Sequence, residues 1–214
     1  MHLTDSDIKK LDRIQRLNII NSVTGIKPAN LIGTISDAGQ PNLAIFSSVV
    51  HLGSNPPLIG FMLRPQKEVR RHTFENIMEN GYYTINHVHS SFSQQAHYTS
   101  AKFGKGISEF EACQLTEEYI PDFKAPFVKQ SRVKLGMEFA QQIPIHLNGI
   151  SLIIGRIKFA IFPDETMDAD GHIDLAKVDD IGISGLNSYY ALDKIAQFPY
   201  ARPDELPEFF QTGK

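Results

Sequence analysis

Apolar residues recur with one period near the N-terminus of this chain and with another through its middle. From Ile8 to Leu17 they return every third residue behind Ser and Asp residues that can cap a helix, which predicts an amphipathic, surface-packed helix. After Pro28 they come in short runs bounded by Gly, Pro, Asn and Asp, which predicts strands joined by turns.

Six of these runs predict the strands of one sheet. They read ANLIGTIS, NLAIFSSVV, PPLIGFML, YYTINHV, SRVKLGMEFAQQIPI and ISLIIGRIKFAIFP. The turn DAGQP makes the first two a hairpin, and their apolar residues on both faces suit a barrel wall covered by helices or a second subunit. No strand precedes a long helix and a second parallel strand, so a mainly β antiparallel barrel is favoured over a doubly wound sheet.

Helices are predicted to be few and short. FENIMEN should form one, with Thr73 as N-cap and Gly81 just beyond its end. Residues 89–121 are polar and without a clear period, which indicates a long functional or dimer-contacting excursion. With no repeat or linker, we expect one domain over 1–214: a barrel at about 24–161, then a C-terminal helix and arm at about 172–214 that packs on a neighbour.

Composition narrows the possible partners. The chain has 214 residues, 42% hydrophobic and 21% charged, with a net charge of −3 and a pI near 6.2. No positive field exists to attract nucleic acid or an anionic membrane. A single cysteine, no apolar signal segment and no apolar run long enough for a membrane span lead us to expect a soluble cytoplasmic protein.

A basic loop is the first candidate for chemistry. Its cations are Arg64, Lys67, Arg70 and Arg71, followed by His72 and Thr73 at the predicted helix start. Guanidinium groups beside the free N–H groups of a helix N-terminus make a seat for phosphate. The alternative is a solvated loop whose charge Glu68 and Glu75 balance.

Two serines interrupt an apolar strand. Ser47 and Ser48 supply hydroxyls and consecutive N–H groups where the polar edge of a ligand could dock. The alternatives are a β-bulge or serines satisfied within the core.

The histidines offer a weaker possibility. His87 and His89 would share one strand face, and His97 follows, a pattern open to metal binding. No carboxylate has matching spacing, so hydrogen bonding to a polar ligand is favoured and no metal is expected. The chain also lacks a nucleophile elbow, a P-loop and a GxGxxG motif, and no catalytic side chain is predicted.

Three segments in order resemble the flavin reductase-like family of FMN-binding split barrels. They are TGIKPANLIGTISDAGQPNLAIFSSVVHLGSNPPLIGFMLRP, HTFENIMENGYYTINHV and AHYTSAKFGKGISEF. The resemblance extends over residues 24–161 and is closest over residues 30–86. It implies a six-stranded antiparallel split β-barrel, a homodimer, and FMN bound near the subunit interface.

The resemblance also implies which residues bind the cofactor, although it leaves FAD open beside FMN. The wall along the isoalloxazine would comprise Ala44, Phe46, Ser47, Ser48 and Val49, and the phosphate would lie on Arg64, Lys67, Arg71, His72 and Thr73. The residues closing over the ring would be Asn86, His87, Ala96, His97 and Phe103, with Tyr189 nearby.

For activity, the resemblance implies hydride transfer from NADH or NADPH to flavin and onward to a small-molecule or protein acceptor. One feature departs from the family: short members carry a late Gly-Asp-His motif associated with NADH use, and LNGISLIIGRIKF lacks it. A flavoredoxin-like electron carrier or a flavin-binding module without nicotinamide turnover is therefore the alternative. A pyridoxamine-phosphate-oxidase-like split barrel is a third possibility.

Overall fold

The structure is a computed structural model that describes residues 1–65, 71–104, 106–203, 205 and 207. Its helices are α1 (Asp5–Lys10), α2 (Arg13–Ser22), α3 (His72–Asn80), α4 (Ser93–Tyr98) and α5 (Glu109–Ala112), with 3-10 turns at Ser90–Phe92, Asp164–Thr166 and Leu175–Val178. Its strands are β1 (Lys27–Pro28), β2 (Asn30–Ile35), β3 (Pro41–Phe46), β4 (Val50–Ser54), β5 (Pro57–Leu63), β6 (Tyr82–His87), β7 (Glu117–Glu118), β8 (Phe127–Val128), β9 (Lys134–Ile145), β10 (Ile150–Ile161), β11 (Ile181–Ser184) and β12 (Ser188–Ala191).

The main sheet closes on itself into a split barrel. Its order is β3-β2-β6-β9-β10-β5-β4, with antiparallel pairing throughout. Strands β3 and β4 are therefore opposite edges, yet only residues 47–49 join them. Because three residues span at most about 10 Å, the edges must approach each other there. The predicted mainly β split barrel is confirmed.

The predicted count of six strands is wrong by one. The run NLAIFSSVV forms two strands, β3 and β4, separated by a bend at residues 47–49. Ser48 attaches the bend to β5. Its Oγ accepts a hydrogen bond from the Met62 N–H at 3.1 Å and donates to the Met62 carbonyl at 3.3 Å. The Ser48 hydroxyl thus takes the place of a neighbouring strand for the backbone of Met62 in β5.

Both faces of β2 and β3 are covered, as their apolar pattern predicted. One cluster inside the barrel contains Ile32, Phe61, Leu63, Ile77, Tyr83, Ile85, Met137 and Ile153. A second, on the outer face, contains Ala29, Leu31, Leu43, Val88, Phe92, Ala96, Phe110, Cys113, Leu115, Val128, Ile181 and Ile183. The excursion after β6 and the last two strands therefore supply the cover.

The two ends of the chain differ from expectation. The predicted N-terminal helix is two helices, because Asp12 caps a new one by accepting hydrogen bonds from the N–H groups of Ile14 and Gln15 at 2.8 and 3.0 Å. The short helix expected after residue 172 is a 3-10 turn at Leu175–Val178. β11 then pairs with β1 on one side and with β12 on the other, and an irregular, exposed segment follows. Every helix in the described ranges is too short or too polar to span a membrane.

We expect Ser48→Ala to lower the free energy of unfolding by about 1–3 kcal/mol, because it leaves a partly buried N–H and C=O of β5 without partners. Chemical denaturation measures the loss. Ser47→Ala is the matched control, since the Ser47 hydroxyl forms no hydrogen bond within the described chain. Equal effects of the two substitutions would contradict this role for Ser48.

Candidate functional site

The N-terminus of α3 is open toward the end of β5. Arg71 is its N-cap residue, and no side chain caps the first turn. The predicted cap, Thr73, is wrong: it lies buried inside the first turn and accepts a hydrogen bond from Asn42 Nδ2 at 3.1 Å. Gly81 ends the helix in the left-handed conformation, as predicted.

A buried polar network fixes this helix end on the β2–β3 hairpin. Asn42 Nδ2 also reaches Thr34 Oγ1 at 3.3 Å, and Asn76 Nδ2 donates to the same oxygen at 3.1 Å. These groups are buried, so each satisfied hydrogen bond also avoids the cost of an unpaired polar atom. The first turn of α3 is thereby held beside β3.

Arg64 and Arg71 form a pair of cations at this open helix end. Burial and the nearby Arg64 charge both lower the pKa of Arg71. The Arg71 Nε atom is buried and has no hydrogen-bond partner in the described structure. Two like charges and an unpaired guanidinium N–H at a helix N-terminus fit an anion such as phosphate. Lys67, Glu68 and Arg70 lie outside the described residues.

The predicted wall runs along β3 and over the bend into β4. Ala44 and Phe46 are half-buried, and the Phe46 ring packs edge-on against Phe61 with centroids 5.0 Å apart. Ser47, Ser48 and Val49 are also half-buried and form the bend. The wall thus begins on a strand of the hairpin that holds the α3 N-terminus and ends at the bend.

Glu109 binds the outer edge of β3. Its Oε2 accepts a hydrogen bond from the Leu43 N–H at 3.0 Å. Burial raises the Glu109 pKa, while this bond and the nearby His72 act in the opposite direction. Ser108 caps α5 by accepting from the Phe110 N–H at 3.3 Å, which directs the carboxylate at the strand. The excursion is thus attached to the wall.

His97 and Tyr189 lie together at the margin of the outer cluster, and Phe103 packs on the same cluster. The His97 Nδ1 and Tyr189 Oη atoms are 2.9 Å apart and share a hydrogen bond. Phe103 and Tyr189 pack on the same cluster as Ile45 of β3. Ala96 is fully buried beneath them and supports this group from the core.

Asn86 and His87 have partners within the protein. Asn86 is fully buried, and its amide donates to the Leu31 carbonyl at 3.1 Å and accepts from the Val128 N–H at 2.9 Å. Asn86 therefore joins strands instead of offering its amide to a ligand. His87 Nδ1 lies 2.5 Å from Asp180 Oδ2. Across the described ranges, no group of three or more His, Cys, Asp and Glu side chains is placed to bind a metal ion.

The structure thus brings the predicted residues together in two groups along β3. One group, called the anion cluster because it fits an anion, consists of Arg64, Arg71, His72 and Thr73. The other, called the closing group, consists of His97, Phe103 and Tyr189. Leu43 and Ile45 turn toward the outer cluster, while Phe46 turns into the barrel.

The sequence reading missed Glu109 and Asn30. A Ser-Glu pair at a helix start could have indicated α5 but not that Glu109 reaches β3. Asn30 is 1% exposed, stands opposite Phe46 and His87 in the sheet, and has no partner for either amide atom in the described chain. An unpaired buried amide is costly, so Asn30 is a further candidate for a functional role.

Fold and site together define a split-barrel protein with two cations at an open helix end. The sequence profile described as "Flavin reductase like domain" matches residues 26–173. The chain belongs to this family.

Solved structures agree with this assignment. A candidate flavin reductase with a split barrel domain from Shewanella frigidimarina is 49% identical, covers 94% of this chain and 100% of its own, and superposes with a TM-score of 0.90. Two more distant proteins share the fold. Nitrilotriacetate monooxygenase component B from Bacillus cereus is 18% identical over 92% of this chain and 98% of its own, with a TM-score of 0.81. Flavoredoxin from Desulfovibrio vulgaris is 24% identical over 82% and 92%, with a TM-score of 0.70.

The closing group predicts a loss of stability at alkaline pH. Burial raises the pKa of Tyr189 to about 12, from an ordinary value near 10. The folded state favours the neutral phenol. The stability that Tyr189 contributes is therefore fully present below about pH 10 and is lost as the pH rises toward 12.

We therefore expect the melting temperature of Tyr189→Phe to fall less than that of the wild type when the pH is raised from about 9 to 11.5. The neighbouring and more exposed Tyr190 provides the control variant Tyr190→Phe. A Tyr189→Phe protein as sensitive to alkali as the wild type would contradict the burial of this phenol.

Proposed function

We propose that the chain is an FMN-dependent oxidoreductase that takes hydride from NADH or NADPH and passes electrons to a small-molecule or protein acceptor. The anion cluster carries the proposal. Arg64 repels Arg71, and Arg71 Nε is unpaired within the described residues, so this arrangement is stabilised by an anion. Within the flavin reductase-like family, the phosphate of FMN is the anion that fits.

Each part of the site then has a task. Arg64, Arg71 and the first N–H groups of α3, at His72 and Thr73, hold the phosphate. The wall from Ala44 to Val49 lies along the isoalloxazine, which supplies two-electron redox chemistry when bound. His97, Phe103 and Tyr189 close over the ring and exclude water. The protein contributes to hydride transfer by binding and orienting the reactants, and no side chain need act as acid or base.

A terminal phosphate favours FMN over FAD. The anion cluster lies at the end of β5 and the start of α3, and two guanidinium groups with open helix N–H groups can surround a dianionic monophosphate. The diphosphate of FAD continues into an adenosine that would need a further site.

An electron carrier is the second candidate. It is favoured by the absence of a Gly-Asp-His motif from residues 147–159, which the structure forms into the β9–β10 hairpin. In that case a protein donor replaces the nicotinamide, and the flavin site is unchanged.

We further propose a single-domain homodimer in the cytoplasm. The extended segment after β12 presents Ile195, Phe198 and Tyr200 to solvent at 98%, 84% and 86% exposure, and Ile14 and Ile20 of α2 are also exposed. Apolar groups exposed to this degree are typical of surfaces that a partner covers. Sedimentation of FMN-loaded protein as a monomer at micromolar concentration would contradict the dimer.

Anaerobic mixing tests the proposed activity. Purified protein reconstituted with FMN should lose its visible flavin absorbance in milliseconds to seconds on mixing with NADH or NADPH. Bleaching by a protein donor alone would favour the electron carrier. A protein that binds no flavin would contradict both candidates.

We expect Arg64→Ala and Arg71→Ala each to weaken FMN binding by about 1.5–3 kcal/mol and to leave riboflavin binding nearly unchanged, because riboflavin lacks the phosphate. Fluorescence titration measures both ligands. Arg156→Ala is the matched control: Arg156 is exposed and pairs with Leu58, whereas Arg64 follows the other end of β5. An equal loss for both ligands would place the phosphate elsewhere.

A further inference from the structure

A cleft between α4 and α5 lies beside the proposed flavin site. Its volume is about 390 Å³, within the range of small-molecule sites of roughly 300–1,000 Å³. The described residues that line it are Gln94, Gln95, Tyr98, Phe103, Ala112, Cys113 and Gln114. Phe103 also belongs to the closing group, so the cleft and the flavin site share a wall.

The described lining is polar but uncharged. The lining residues include three glutamines and two aromatic residues, with no cation and no carboxylate among them. Burial raises the pKa of the Cys113 thiol, which therefore stays neutral as well. Carboxamides donate hydrogen bonds to carbonyl oxygens, and aromatic rings stack on planar conjugated systems. A neutral, planar carbonyl compound matches both properties.

Gln114 adds independent evidence. It follows α5 with φ at +56, the left-handed region, and the turn is closed by hydrogen bonds from Gln114 N–H to Glu111 O at 3.1 Å and from Leu115 N–H to Phe110 O at 2.8 Å. This position after a helix favours glycine, as Gly81 illustrates after α3. A glutamine here costs conformational energy and places a carboxamide at the cleft, so its identity favours a role in binding.

We propose that this cleft binds a neutral, planar conjugated carbonyl compound, with Gln114 donating to the carbonyl oxygen and Tyr98 and Phe103 packing on the ring. The ligand's role as electron acceptor rests on the proposed function, whereas its binding does not. As acceptor, its conjugated double bond takes a hydride, with two electrons, at one atom and a solvent proton at the other. The double bond becomes single, and the reduced flavin is oxidised.

A nicotinamide dinucleotide fits the cleft less well. Its pyrophosphate carries two negative charges, and the described lining offers no cation to balance them. NADH and NADPH are therefore expected to bind outside the cleft.

Coumarin, a neutral planar conjugated carbonyl compound, is the probe. Its binding to the full chain is measured by calorimetry with and without FMN, so a failure of flavin binding is recognised separately from a failure of the cleft. Gln114→Gly should raise the dissociation constant for coumarin by roughly three- to tenfold, the effect of one lost hydrogen bond. It should also raise the melting temperature, because glycine relieves the left-handed strain.

Asp122→Gly is the matched control. Asp122 is exposed, has φ at +64 and does not line the cleft, so this variant should gain stability and keep its affinity for coumarin. Coumarin-3-carboxylate, which is charged, should bind at least tenfold more weakly than coumarin.

Four results would overturn the proposal. They are the absence of saturable coumarin binding, equal affinity of Gln114→Gly and wild type, equal binding of the charged analogue, and competitive displacement of coumarin by NADH or NADPH.

Discussion

Closure of the main sheet across residues 47–49 is the constraint on which the molecule depends. Strands β3 and β4 are neighbours in the chain but lie at opposite edges of the sheet. The five strands between them, β2, β6, β9, β10 and β5, must therefore form a curved sheet so that the two edges meet. Ser48 holds the meeting point by bonding Met62 on β5. A barrel with this split places a half-buried, irregular bend beside β5, and the first arginine of the anion cluster follows the end of that strand.

Each face of β3 packs against a hydrophobic core. Phe46 packs inside the barrel, and Leu43 and Ile45 pack on the outer cluster formed by α4, α5 and the last strands. The strand therefore cannot move without disturbing both cores. Asn42, at its start, also reaches Thr34 and Thr73, and this couples the position of α3 to the same strand. The start of α3 and the closing group are consequently fixed relative to one rigid element.

Sequence reasoning succeeded where the signal was local. Short apolar runs predicted the strands, and Gly81 predicted the end of α3, because each depends on neighbouring residues alone. The grouping of Arg64 with Arg71 followed from their spacing of seven residues across one loop. Ser47 and Ser48 marked an interruption, and Ser48 is satisfied within the protein by Met62, one of the alternatives left open. The change from β3 to β4 at this point was missed because it depends on β5, which the spacing of these serines does not reveal.

Contacts between distant segments were beyond the sequence. Glu109 reaches Leu43 across 66 residues, and neither residue indicates the other. Asn86, a polar residue in a strand, was predicted from the family resemblance to contact the cofactor. Its amide is instead satisfied by Leu31 and Val128, which are far from it in the chain. Polar residues in strands are therefore ambiguous until the neighbouring strands are known.

The bond between Glu109 and Leu43 also blocks one position on the edge of β3. An edge strand with free N–H groups is a template on which a strand of another molecule can add, and the result is aggregation. By occupying the Leu43 N–H, the Glu109 side chain removes one free donor from the edge of β3 and interrupts that template. The attachment that holds the excursion over the wall thus also closes this position of the edge to an added strand.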